Sequence, residues 1–376
     1  MQCYYAPYTR FSDYVVTKNE TLSLLLFGQR TKIDWEYIQV FCENSNQTQI
    51  YVDFHAFFPS SMKEVEGNDE DGKYNMMILG IDSVSKLNFH RMLNATAKTL
   101  ENLGAIELHG YNKVDDNTYP NLIPFLTGLS SAELSDVCLS NNSLHFDHCH
   151  FIWDEFKKKG YSTLFSEDSA ALGLFNYLKR GFEKQPTDFY FRTMLYQMEK
   201  DIAHTKIGNY KLCLGNRQVF DIFMKGYVQK FIKSMSNQLT FSFFWTSSMT
   251  HDFINHPVLI DKDLSDLLML MKNEKVLDKT IVFMLADHGL RFGSFRQTTF
   301  QGMVEERLRK KTFKTSKSRK FLIISFQHFF SHFFQKLLRK SIRLPSGTLD
   351  TTDDSSQPIT IFIKHLKTSQ IQIHFQ

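Results

Sequence analysis

The chain contains no run of 18 or more apolar residues, so the sequence offers no membrane-spanning helix. Cysteine is scarce. Cys3, Cys42, Cys138, Cys149 and Cys213 form neither a CxxC pair nor a Cys/His zinc spacing, which excludes a finger-type structural metal site. No segment repeats. Acidic residues are missing altogether between Arg307 and Arg343, where twelve Lys and Arg fall. The net charge of +4 comes from that stretch; without it, 32 basic residues face 40 acidic ones, a balance of −8. A mildly acidic body argues against a nucleic-acid-binding surface across it, so no nucleic-acid partner is expected. Met1-Gln2-Cys3-Tyr4 has neither the basic start nor the apolar core of a signal peptide, and the expectation is that the natural N-terminus lies upstream.

What is present is an ordinary globular composition. The 376 residues are 42% hydrophobic and 22% charged, enough for one large α/β domain or two smaller ones. Phe is unusually frequent at 36 residues, part of the excess lying near the C-terminus. N-glycosylation triplets start at Asn19, Asn46, Asn94 and Asn141. Such triplets also arise by chance, but Cys138 and Cys149 are close enough in sequence to close a small loop. Together these features favour a secreted glycoprotein, in the extracellular space or the lumen of the secretory pathway. The odd cysteine count leaves either one free thiol or a missing partner.

Three regions follow from the pattern. Residues 1–73 read as a β-rich or irregular accessory region, with YIQVFCEN and QIYVDFHAFF as strand candidates and the acidic stretch 65–73 as a surface loop. Residues 74–306 alternate strands and helices. Met76 to Ile81 is a continuous apolar run of the kind a buried parallel strand shows. A helical pattern through Leu87, Met92, Leu93, Ala97, Leu100 and Leu103 stops at Gly104, and Ala105 to His109 reads as the next strand. Pro120 opens a helix ending near Gly128. Tyr161–Phe165, Thr240–Trp245 and Thr280–Ala286 are further strands, with helices over Arg217–Met235 and Leu259–Val276. This alternation predicts a doubly wound, mostly parallel α/β sheet with helices on both faces. From about Arg307 the pattern breaks, and residues 307–376 are basic and aromatic, then polar. One reading is an amphipathic, cationic helix at a membrane surface over 307–343. The other, which we favour, is a gene-model artefact that does not fold with the rest.

In a doubly wound sheet, ligands bind beyond the carboxyl ends of the strands. Three loops fall there. Asp82-Ser83 follows the first buried strand, and a carboxylate there suits a hard or borderline cation, although Asp and Ser also make good helix caps. Thr118, just before Pro120, falls near a helix N-terminus, where orphan N–H groups favour a bound anion and an alkoxide; it too could be a plain cap. Asp287-His288-Gly289 follows the apolar strand TIVFML and offers oxygen and nitrogen ligands. Glu167 and Asp168, also at a strand end, read as supporting or helix-capping residues rather than ligands.

The order of these motifs carries a resemblance. MILGIDSVSKLNFHR, GYNKVDDNTYPNLIPFLTGLS, FFWTSSMTHDFINHP and FMLADHGLRFG…RQTTFQGMVEER closely resemble the family of domain of unknown function 229, over roughly residues 75 to 307. That family belongs to the alkaline phosphatase-like superfamily, which includes sulfatases and nucleotide pyrophosphatases. The stretch NTYPN…TG is similar to the TFPN…TG nucleophile segment of the nucleotide pyrophosphatases. The resemblance implies that Asp82, Asp287 and His288 hold one divalent metal, with zinc best matching the mixed ligands and manganese or magnesium suiting a more oxygen-rich site. It implies that Thr118 is a nucleophile on phosphate or sulfate-like esters. His251 becomes a second-metal ligand or a general acid/base, and Arg291 and Arg296 become substrate contacts.

Departures from the pattern bear on these roles. Two-metal members have an Asp where this chain has Ser247, and a further downstream His has no recognisable equivalent. His251 and His256 are weakly similar to the HxxxxH block of the phosphoethanolamine transferases. Thr118-Tyr119-Pro120-Asn121 lacks the C/S-x-P-x-R pattern of strict sulfatases. The alternative is a catalytically inactive ectodomain that keeps the fold for binding or structure.

Overall fold

The computed structural model describes residues 1–58, 73–105, 107, 113–139, 145–234, 238–294, 298–300 and 302. Arg296, the acidic stretch 65–73 except its last residue, most of the expected strand 105–109, the triplet at Asn141 and the segment 307–376 lie outside these residues. In chain order the strands are β1 (Gln2–Ser12), β2 (Val15–Lys18), β3 (Ser23–Leu25), β4 (Tyr37–Glu43), β5 (Gln49–Ala56), β6 (Asn75–Ile81), β7 (Ser162–Glu167), β8 (Phe189–Tyr190), β9 (His204–Ile207), β10 (Tyr210–Leu214), β11 (Arg217–Gln218), β12 (Thr240–Thr246) and β13 (Thr280–Leu285). The helices are α1 (Lys86–Met92), α2 (Asn94–Asn102), α3 (Thr118–Thr127), α4 (Ser131–Cys138), α5 (Ile152–Lys158), α6 (Arg192–Asp201), α7 (Val219–Phe223), α8 (Gln229–Ser234) and α9 (Asp261–Asn273).

The central sheet runs β13-β6-β12-β7-β8, and every neighbouring pair in it is parallel. Its strands are buried on both faces, which is why β6 carries apolar residues at nearly every position rather than at alternate ones, and why every residue of β12, Thr and Ser included, is buried. The two-residue period still sorts the side chains. Met77, Leu79 and Ile81 point into one core, with residues of α2, α6, α7, α8 and α9 and of the N-terminal sheet. Met76 and Ile78 point into the other, with residues of α3, α4 and α5 and a group of phenylalanines including Phe151, Phe156, Phe165, Phe175 and Phe182. A strand residue contributes to only one layer, so two cores need two sets of large side chains. Much of the abundant Phe is used here.

The helix expected over residues 87–103 is two helices, parted at Leu93. The reason lies far along the chain. The Asp261 carboxylate at the start of α9 accepts the backbone N–H groups of Ala95 and Thr96, both at 2.8 Å, and so caps α2 from outside. The helical stretch expected at Arg217–Met235 is α7 and α8 joined by a π turn over Met224–Val228, and its first two residues form β11. The helix expected from Leu259 is α9, entered through a 3₁₀ turn at His256–Ile260.

The N-terminal strands make a second, antiparallel sheet in the order β2-β1-β4-β5, with β3 on β1. Disulfides join Cys3 to Cys42 across β1 and β4, and Cys138 to Cys149 between α4 and the segment before α5; Cys213 is free. At the end of β1, Asp13 is buried and accepts from Arg10, Asn176, the Phe182 N–H and the Tyr190 hydroxyl. The sheet is thereby fastened to the far edge of the central one. Among the described residues, no helix is long and apolar enough to cross a membrane.

Candidate metal centre

Strands β6 and β13 are parallel neighbours, with Gly80 paired to Leu285, so the residues just beyond their carboxyl ends meet. This brings Asp82 beside Asp287 and His288. All three are buried, and ligand atoms of the three lie within 4.8 Å of one another. Ser83 holds the two loops in register. At φ 61° it sits in the left-handed region, a strained conformation for a non-glycine residue. There its N–H donates to Asp287 Oδ1 at 3.1 Å while its hydroxyl donates to Asp82 Oδ1 at 2.9 Å.

The protonation of His288 follows from its contacts. Nδ1 lies 2.9 Å from the Gly289 carbonyl oxygen, which can only accept, so Nδ1 carries the proton. Burial lowers the imidazole to a pKa of about 4, and the ring is neutral at pH 7. Nε2 is then a bare lone pair, 3.2 Å from Asp287 Oδ2. Neither atom has a hydrogen-bond partner, although both are buried. Two lone pairs facing each other in a dry site are unfavourable unless a cation lies between them. Burial raises Asp82, and the neighbouring Asp287 carboxylate raises it further; burial raises Asp287 as well. Two adjacent buried carboxyls, a neutral His and two unsatisfied acceptors make a donor set that fits a divalent cation.

Thr118 is the first residue of α3, and its hydroxyl lies against the Asp287 carboxylate, where it favours the charged form. The loop before it is shaped by Asn121, which the sequence reading did not single out. The Asn121 side-chain amide donates to Asp115 O and Asn117 O, both at 2.7 Å, and its oxygen accepts the Val114 N–H at 2.5 Å. Asn117 takes φ 75° at the turn into the helix.

His251 lies beyond β12. Its ring packs between Tyr210 and Phe292, each 4.9 Å away between ring centres, and its Nδ1 lies 2.6 Å from Asp252 Oδ1. Its charge is felt at both Asp82 and His288. Ser247 lies against Asp82, and the buried Tyr210 hydroxyl lies against Ser247. Arg291 is close enough to help depress His288, and its buried Nε has no partner. His256 stacks on Phe253 at 4.4 Å and is not part of the acidic cluster.

The remaining strand-end carboxylates do other work. Asp168 does not cap a helix. It accepts from the Thr246 hydroxyl at 2.5 Å, the Ser247 N–H at 2.7 Å, the Ser248 N–H at 3.2 Å and the Ser248 hydroxyl at 2.6 Å, fixing the turn that carries Ser247. Glu167 accepts the Leu174 N–H at 2.8 Å. Among the described residues, Asp82, Asp287 and His288 are the one group with metal-ligand geometry.

Fold and site together define an α/β protein with a buried Asp/Asp/His cluster at the carboxyl end of a parallel sheet. The chain belongs to the family described as protein of unknown function (DUF229), which it matches over residues 1–313. That match is wider than the four motif blocks and takes in the N-terminal sheet. No curated protein matches the sequence. Among solved structures, it is similar to the lipoteichoic acid synthase LtaP from Listeria monocytogenes, at 12% identity and a TM-score of 0.40 over 63% of this chain and 60% of that one. Murine ectonucleotide pyrophosphatase/phosphodiesterase 5 gives 12% and 0.37 over 58% and 57%. An alkaline phosphatase superfamily protein from Vibrio parahaemolyticus gives 15% and 0.41 over 59% and 56%. The chain thus spans less than two thirds of the length of each of these proteins.

Proposed function

We propose that this protein is a metal-dependent hydrolase or phosphotransferase acting on phosphate esters, with Thr118 as nucleophile. The observation that carries the reading is the pair of buried, unpartnered acceptors, Asp287 Oδ2 and His288 Nε2, beside Asp82 and the Thr118 hydroxyl. Asp82, Asp287 and His288 would hold the cation. Zinc suits this mixed oxygen and nitrogen set best, with manganese or magnesium as the alternatives. When bound, such an ion polarises phosphoryl oxygens and neutralises developing charge.

The chain's own groups account for the rest. Thr118 Oγ forms a bond to phosphorus as the ester P–O bond breaks, its electron pair leaving on the alcohol oxygen. The Thr118 proton passes to the Asp287 carboxylate it faces. The α3 N-terminus favours the anionic group drawn to it, and Arg291 offers a further cationic contact. His251 gives the leaving oxygen a proton. Water or an acceptor alcohol then displaces Thr118 and completes a ping-pong cycle. A general acid suits His251 better than a second metal, because Asp168 is fully engaged and Ser247 brings no carboxylate. The two disulfides suit an oxidising compartment, in keeping with a secreted or lumenal protein.

The test is metal content by mass spectrometry for wild type, Thr118→Ala and Asp287→Ala, with p-nitrophenyl phosphate and its bis-ester as substrates. One ion in wild type and in Thr118→Ala, lost with all activity in Asp287→Ala, is the expected result, together with loss of the phospho-enzyme in Thr118→Ala. Two ions would reassign His251 as a ligand. No ion and no activity would overturn the reading in favour of an inactive ectodomain.

A further inference from the structure

The hairpin formed by β9 and β10 turns on two residues, Gly208 and Asn209, with Ile207 paired to Tyr210. Gly208 takes φ +57° at the first turn position, as a type II′ turn requires. That turn does more than reverse the chain. The Asn209 N–H donates to Asp252 Oδ2 at 2.5 Å, and the Asn209 side-chain amide donates to Asp252 Oδ1 at 3.1 Å. A Cβ on Gly208 would overlap the same carboxylate, so the residue is restricted by contact as well as by φ. Asp252 Oδ1 in turn meets His251 Nδ1 at 2.6 Å. The next hairpin residue, Tyr210, lays its ring on the imidazole.

Asp252 and Tyr210 thus meet one imidazole, and Gly208 and Asn209 set the carboxylate that does so. A carboxylate can only accept, so the contact with Asp252 keeps a proton on Nδ1 and leaves Nε2 as the atom that exchanges one with substrate. A surface histidine held only for packing needs no second residue to hold the carboxylate that holds it. We propose that Asp252, itself set by the Gly208-Asn209 turn, is a positioning residue that fixes the tautomer and direction of His251 for proton delivery to the leaving oxygen. This rests on the phosphoesterase reading above, and it assigns a role to a segment far from the metal ligands in sequence.

The experiment compares two monoesters, p-nitrophenyl phosphate and phenyl phosphate, on full-length protein. The nitrophenolate leaves readily without a proton, whereas phenolate benefits strongly from one. Loss of general acid catalysis costs on the order of 100-fold or more where the proton is needed. Asp252→Asn should therefore lower kcat by about 100-fold on phenyl phosphate and by no more than about 5-fold on the nitrophenyl ester. Asp252→Asn should keep metal content and the thermal unfolding midpoint at wild-type values, whereas Gly208→Ala should reproduce the split with metal content unchanged but with a lowered midpoint. His251→Gln should show the same split, and adding Asp252→Asn to it should cost nothing further, since both act through one proton. Equal losses on the two esters, or additive losses in the double variant, would overturn the positioning role while leaving the enzyme assignment intact. If wild type binds no metal and hydrolyses neither ester, the function reading itself fails, and this inference with it.

Discussion

Replacing Asp82 by Asn should stabilise the protein without metal and destabilise it, relative to wild type, with metal. Two carboxylates with ligand atoms within 4.8 Å of each other repel by about 3 kcal/mol at an effective dielectric of about 20. Proton uptake relieves part of this, because burial and Asp287 raise Asp82, and burial raises Asp287. Asn keeps the oxygen that accepts from the Ser83 hydroxyl, so little hydrogen bonding is lost. The expected gain in chelator at pH 7 is about 1–2 kcal/mol. The sign with pH follows: a carboxyl raised on folding binds its proton more tightly in the native state. The wild-type penalty is therefore absent below the ordinary carboxylate range and grows as pH rises through the raised values, so the gain should vanish below about pH 4. With metal at about 100 times its dissociation constant, wild type gains about 2.7 kcal/mol that the variant forfeits. Urea unfolding in EDTA and in zinc, at two pH values, measures each quantity. A variant less stable than wild type by more than about 1 kcal/mol in EDTA, yet equally responsive to zinc, would refute the reasoning.

Burial raises Glu167 from 4.5 to about 8, so its native form keeps a proton that the unfolded chain releases. Wild type should lose stability as pH rises across that interval, and Glu167→Gln should flatten the slope in urea titrations; an unchanged slope would count against a buried neutral carboxyl. In Gly80→Ala the new Cβ would overlap the Trp245 ring, which is buried and stacked on Phe243 at 5.9 Å. A loss of about 3 kcal/mol is expected by denaturation, and a loss under about 1 kcal/mol would mean that the ring has room to move. The Cys3–Cys42 bridge spans 39 residues, so replacing both with Ser should cost about 4 kcal/mol through the freer unfolded chain. Unchanged unfolding of the double variant would show that β1 and β4 hold together without it.

Strands β6 and β13 were legible because a doubly covered parallel strand writes itself as an unbroken apolar run, and β12 because its aromatic residues crowd one short segment. The loops following β6 and β13 were legible for a related reason, since a polar pair right after such a run stands out. The helix break at Leu93 was not. It depends on Asp261, more than 160 positions away, and an external cap leaves no mark on the segment it caps. β8 is two residues long and takes its place from pairing with β7, not from local propensity. Asp168 carried a visible signal at a strand end, yet its partners on the neighbouring turn could not be read without the register of β7 against β12. Ser83, Asn121 and Asn209 act through bonds that one-dimensional spacing does not express.

The fastening of β1 at Asp13 has a consequence in time. Ribosomal synthesis delivers this strand together with Arg10, but the other groups that meet its buried carboxylate sit 163 to 179 positions later, at Asn176, Phe182, Tyr190 and Arg192. At about 5–20 residues per second, those partners emerge roughly 8 to 35 seconds after Asp13 does. Throughout that interval the carboxylate has Arg10 but lacks the other donors that make its burial tolerable. The N-terminal sheet can pair its own strands meanwhile, but its last turn must stay hydrated until the chain has passed Arg192. Docking of the accessory sheet is thus a late event that waits on the far edge of the central one.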